Sequence, residues 1–170
     1  MTSRTTLLLA LLFLTQIVSA NAQAPEDPAI NLVGTWRLVS WERQLDDGTV
    51  IRDQRTVGFI MYSDTGHVCW ASMDPGRPEW ETWLSPTPTE ALSGLAGFAA
   101  YCGRAEIHTE EGYVLHHVEV DRVPNNVGTI RKRTFEFTIG GQLALSVDPS
   151  EFSLPVVSTT LIFERVTGSE

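Results

Sequence analysis

The sequence predicts an all-β domain of about eight antiparallel strands, a barrel or a sandwich, interrupted by one amphipathic helix. Three observations carry this. Short segments alternate apolar and polar residues with a period of two. Turn signals separate them: Asp46-Asp47-Gly48, Asp64-Thr65-Gly66, Glu110-Glu111-Gly112, Pro124-Asn125-Asn126 and Gly140-Gly141. A single stretch, opening at Thr87-Pro88-Thr89-Glu90, joins a capping box to apolar residues at helical spacing.

Taken in order, the chain opens with Arg4, an apolar run from Leu7 to Val18, and Ala20-Asn21-Ala22. A short apolar core before a small-x-small site reads as a signal peptide over residues 1–22, with cleavage after Ala22. The expected product is an exported protein, periplasmic or secreted. Residues 23–31 hold Pro25, Glu26, Asp27 and Pro28 and read as a flexible lead-in. The domain is expected over 32–167, with a tail at 168–170. No later run reaches the length of a membrane-spanning helix. The net charge of -9 moves to -10 when the leader takes Arg4 and no acid with it, so a basic face for nucleic acid is not expected.

Strand-like segments follow at Gly34–Glu42, Val57–Tyr62, His67–Ser72, Gly103–His108, Tyr113–Val120, Thr129–Ile139, Leu143–Val147 and Thr160–Val166. The helix is expected to run about 13 residues between the third and fourth of these, with Ala91, Leu92, Leu95, Phe98 and Ala99 on its apolar face. Before it, Asp74–Thr87 carries Pro75, Pro78, Trp80, Trp83 and Pro86. That loop reads either as a lid or as two tryptophans packed onto the domain. Cys69 and Cys102 sit on different segments, and sequence leaves open whether they form a disulfide or remain two buried thiols.

The segments 32–42 (LVGTWRLVSWE), 98–104 (FAAYCGR), 116–119 (HHVE) and 126–129 (NVGT), followed by Arg133, together resemble the bacterial and fungal lipocalin-like domain family. The order of these motifs makes the resemblance specific, and it spans Leu32 to Val166. It implies a small antiparallel up-and-down β-barrel of about eight strands, whose interior holds one small ligand. It also implies that Trp36, near the start of the first strand, packs under Arg165, near the end of the last. Both are then structural. The sequence departs from the family pattern at Cys102 and Ala105, and the smaller side chain at 105 would enlarge the cavity.

The segment Tyr113–Phe137 places charge on an inward face. Arg131, Arg133, Phe135, Phe137 and Ile139 share one parity, and the two phenylalanines mark it as buried. An inward Arg133 needs a partner or a ligand. A two-residue turn at Asn125-Asn126 would pair Val118 with Arg133 and His116 with Phe135. Val114, His116, Val118 and Val120 would then face inside, with His116 diagonal to Arg133. A three-residue loop would instead bring His117 inward. Gly103 and Ala105 leave space beside His116, and Tyr101 shares their parity. The predicted pocket is therefore Tyr101, His116, Arg133, Phe135 and Phe137, an apolar wall with a few polar handles. Against this stands an ordinary core, with His116 satisfied and Arg133 paired to an internal acid such as Glu42 or to backbone carbonyls.

The expected function is binding of a small, mostly apolar molecule in the barrel, with an acidic or carbonyl group facing Arg133. Two alternatives stand beside it. One is an isomerase or cyclase of a hydrophobic metabolite, using His116 or Tyr101 with Arg133. The other is a filled barrel acting through its surface. No cofactor is expected, since no glycine-rich phosphate loop is present, and no Gly-x-Ser-x-Gly elbow marks a hydrolase. No metal is expected either: His67 with Cys69, and His116 with His117, lack a repeated ligand spacing.

Overall fold

The computed structural model describes residues 32–151 and 155–168. The expected signal peptide and lead-in lie outside the described residues. Nine strands form one antiparallel sheet: β1 (Gly34–Leu45), β2 (Val50–Asp53), β3 (Val57–Tyr62), β4 (His67–Met73), β5 (Phe98–His108), β6 (Tyr113–Asp121), β7 (Ile130–Phe137), β8 (Leu143–Val147) and β9 (Val156–Arg165). Neighbours follow the order β2-β1-β3-β4-β5-β6-β7-β8-β9, and β9 returns to pair with β1. Eight strands thus close a barrel. β2 pairs with Trp41–Gln44 at the far half of β1, beyond the stretch Gly34–Arg37 that pairs with β3.

β2 is the strand that the sequence reading lacked. Its four residues are almost wholly solvent-facing, so they carry no buried alternation to reveal them. The edge breaks after it because the Asp53 carboxylate accepts hydrogen bonds from the Arg55 and Thr56 amides and the Thr56 hydroxyl. Counting β2 places the helix, α1 (Pro88–Ala96), after the fourth strand. The helix is nine residues long, shorter than expected, because Gly97 closes it and Phe98 and Ala99 enter β5. Its start follows the capping box: the Thr87 hydroxyl accepts from the Glu90 amide, and the Glu90 carboxylate accepts from the Thr87 amide.

One end of the barrel is closed by packing. Trp36, Val114, Leu143 and Phe163 are almost inaccessible to solvent. The Arg165 guanidinium lies 4.2 Å from the Trp36 ring centroid and donates to the Val33 carbonyl, while the Trp36 indole donates to the Leu32 carbonyl. Phe137 packs against the same indole at 5.9 Å. Cys69 and Cys102 face each other directly across β4 and β5, 4.1 Å apart at Cα, and are bonded.

Two bulges govern what points inward at the other end. In β1, Leu38 pairs with Phe163 and Ser40 with Ile162, so Val39 is an extra residue. Inward parity shifts there from Trp36 and Leu38 to Trp41. In β6, Cys102 pairs with Val120 and Gly103 with Val118, so Glu119 is the extra residue. A Cβ on Gly103 would lie 1.9 Å from the His117 carbonyl oxygen, so the bulge requires a glycine opposite it.

Candidate functional site

The β6 bulge corrects one expectation directly: Val120, expected inside, is exposed, because the extra residue turns it outward. The same shift turns Asp121 inward. The β6–β7 connection also differs from the expected two-residue turn. Pro124–Asn126 form a 3-10 turn, and His116 pairs with Arg131 where Phe135 was expected. The partner has moved by four residues, an even number, so the inward set of β7 is preserved and His116 remains diagonal to Arg133. His117 points to the outside, where its Nε2 and the Nε2 of His108 both meet Glu106, at 2.9 and 3.0 Å.

Between the closed end and the helix-bearing end lies a cavity of about 330 Å3. This is at the lower edge of the roughly 300–1,000 Å3 usual for small-ligand sites. Its apolar wall includes Trp41 from β1, Trp70 from β4, Leu145 and Val147 from β8, and Leu161 and Phe163 from β9. Its polar wall consists of Tyr101, Arg122, Arg131, Arg133 and Glu151. Three guanidiniums therefore line one small cavity in a chain whose net charge is -9.

Each arginine is held. Arg133 is buried and makes a two-point bond to Glu151, Nη1 to Oε1 at 2.5 Å and Nη2 to Oε2 at 3.0 Å. Burial, the largest single influence, pulls its pKa down, but the hydrogen bonding and charge of Glu151 together with Tyr101 outweigh it and leave the pKa above the ordinary value. Arg131 donates to Asp121, the acid that the bulge turned inward, at 3.1 Å, and its guanidinium lies 4.7 Å from the Tyr101 ring centroid. Arg122 donates to the Leu95 carbonyl near the end of α1, tying the helix to the mouth. The acid suggested for Arg133 in the sequence, Glu42, pairs with Arg52 on the hairpin instead.

Below the polar wall sits His116, fully buried between two tyrosines. Its Nδ1 is 2.8 Å from the Tyr101 hydroxyl and its Nε2 is 3.0 Å from the Tyr62 hydroxyl. Burial, then the charges of Arg133 and Arg131, push its pKa down to about 3, so it is neutral at physiological pH. Burial raises both tyrosines, Tyr62 strongly, and Arg133 opposes the shift in each.

Of the five residues predicted to line the pocket, Tyr101 and Arg133 do so. His116 lies beneath it, and Phe135 and Phe137 belong to the closed core, because β7 runs downward past the cavity towards Trp36. Several contributors were not foreseen, Arg122 just past β6 among them. Glu151 sits on a 3-10 turn between β8 and β9. Trp41 reaches the cavity through the β1 bulge. Arg131 and Trp70 did have a readable signal: each shares parity with buried neighbours on its own strand. Trp80 packs against α1 at Gly94, whereas Trp83 is largely exposed. Among the described residues, no three His, Cys, Asp or Glu side chains are grouped as a metal site, and no helix is long and apolar enough to cross a membrane.

Residues 33–166 of the sequence match the lipocalin-like domain family. The chain belongs to that family. No curated protein matches it. Among solved structures, an uncharacterised protein of Saccharomyces cerevisiae, YLR301w, is similar at 16% identity and a TM-score of 0.46. That similarity covers 78% of this chain and 54% of the yeast protein, so this chain spans about half its length. In this lipocalin-like barrel, the interior offers an apolar body and, on one side, a band of guanidinium and phenol donors.

Proposed function

We propose that this is an exported binding protein for a small amphipathic acid, with an apolar body against Trp41, Trp70 and Leu161 and its acid among the arginines. The observation that carries the reading is the meeting of Arg122, Arg131 and Arg133 on one wall of an otherwise apolar cavity. Two inward carboxylates, Asp121 and Glu151, answer three cations there. An anionic group therefore suits the site electrostatically, and guanidiniums match a carboxylate in shape. Export rests on the leader pattern of residues 1–22.

The test is titration with decanoate and with decan-1-ol, followed through the fluorescence of the cavity tryptophans. Decanoate should bind in the micromolar range and at least tenfold more tightly than the alcohol. Arg122→Gln and Arg131→Gln should each weaken decanoate several-fold and leave decanol unchanged. Equal binding of acid and alcohol, or binding of neither, would sink the proposal. Native mass spectrometry of the protein from its own host would then identify the natural ligand.

A second reading, an isomerase or cyclase on the same barrel, draws support from the contact between Tyr101 and His116. The phenol would polarise a substrate carbonyl together with Arg133. Turnover of the host ligand, lost in Tyr101→Phe with binding retained, is the outcome that would favour it.

A further inference from the structure

His116 is neutral, so it has one N–H to give and one lone pair to offer, and it stands between two hydroxyls. Which nitrogen carries the proton follows from Tyr62. That side chain is 2% exposed, and among the described residues its hydroxyl is hydrogen-bonded to Nε2 of His116. With the proton on Nε2, the tyrosine O–H would be left in the core without an acceptor, a larger loss than any gain from the alternative arrangement. Nε2 therefore accepts from Tyr62, Nδ1 carries the proton, and Nδ1–H donates to the Tyr101 oxygen.

The Arg133 guanidinium, which lines the cavity with Tyr101, has no lone pair with which to accept the Tyr101 proton. With Nδ1–H of His116 on the Tyr101 oxygen, the phenol's own proton is left for an acceptor in the cavity that Tyr101 lines.

We propose that Tyr62 and His116 are positioning residues that fix Tyr101 as a hydrogen-bond donor into the cavity, making it the reader of an acceptor oxygen on the ligand. The ligand class is then narrowed to molecules that present a carboxylate or carbonyl oxygen to Tyr101 beside the arginines. Cationic groups are refused by the same wall. This rests on the ligand-binding reading above and assigns a role to two residues, of which neither lines the cavity.

The experiment has two independent arms. In ligand-free protein labelled with 15N-histidine, long-range 15N–1H correlation at pH 7 should show His116 as the Nδ1–H tautomer. In Tyr62→Phe, with unchanged near-UV circular dichroism, the Nδ1–H signature should weaken or vanish. Decanoate should then bind about tenfold more weakly while decan-1-ol shifts by less than twofold. Tyr101→Phe should reproduce that selective loss. An Nε2–H tautomer in the wild type overturns the proposal whether or not decanoate binds. So does a Tyr62→Phe variant with wild-type tautomer and decanoate affinity. If wild-type His116 is Nδ1–H but decanoate does not bind, the ligand reading fails and takes the selectivity role with it.

Discussion

Strand β1 carries two inward tryptophans five residues apart, one at each end of the barrel, and they do opposite work. Trp36 is 1% exposed, bonded through its indole to Leu32, covered by Arg165 and packed on Phe137. Trp41 is half-buried, donates to the Thr159 hydroxyl, carries Arg43 at 5.4 Å from its ring, and presents a face to the cavity. An unbroken strand would put residues five apart on opposite faces. The extra residue at Val39 brings both inward, so one strand seals one end and walls the pocket at the other. A cation over an aromatic ring therefore does not by itself distinguish closure from a binding site. The distinction comes from what else the ring touches.

The largest effect that can break this comparison is at the closed end. Trp36→Ala should cost about 3–5 kcal/mol in denaturant unfolding, because the hole it leaves lies among rigid neighbours. Trp41→Ala should cost roughly 1–2 kcal/mol, since part of its surface already faces open space, while weakening decanoate binding. Equal losses at the two sites would show that the cavity is not a distinct region.

Next in size is Glu151→Gln. It leaves Arg133 buried without its carboxylate, and a loss of about 2 kcal/mol is expected in the ligand-free protein, reduced from a fully buried pair because Glu151 is partly exposed. Saturating decanoate should restore much of that stability, and decanoate should bind about tenfold more tightly than to wild type, a difference that calorimetry would measure.

An effect of similar size to the last concerns pH at the boundary between the two ends. The folded-state pKa of His116 is depressed to about 3, below its unfolded value near 6.5. Its contribution is therefore fully present above about pH 6.5 and is lost as the pH falls, because the unfolded chain takes up a proton that the folded one refuses. The slope is about 1.4 kcal/mol per pH unit in that window. Lowered carboxylates such as Asp53 and Glu106 act with the same sign, but only nearer pH 4. Urea midpoints at pH 7.0 and 5.0 should thus separate in the wild type, and His116→Gln should shrink the gap.

Much of the barrel was legible because alternation and turn chemistry are local signals. Tyr101 and Arg133 were legible for the same reason: each shares parity with neighbours that must be buried. What escaped was set by tertiary geometry. The hairpin register followed from a 3-10 turn at Pro124–Asn126, which an Asn-Asn pair does not announce. The inward Asp121 and Trp41 follow from bulges, each of which inverts parity in the middle of a strand. Gly103 was a trace of one of them, read as mere space when it marks a backbone approaching too closely for any side chain. Glu151 had no periodic signal, since it sits on a turn 18 residues beyond the arginine that it meets.

The bond between Cys69 and Cys102 spans the excursion that carries α1, since β4 ends at Met73 and β5 begins at Phe98. Those strands therefore stay covalently joined even if the chain is cut between them. A protease that nicks the exposed stretch around Trp83 and Leu84 would leave two fragments in one molecule, with the barrel wall uninterrupted. Such a cut product should run as a single band until reductant is added, and only then separate into two.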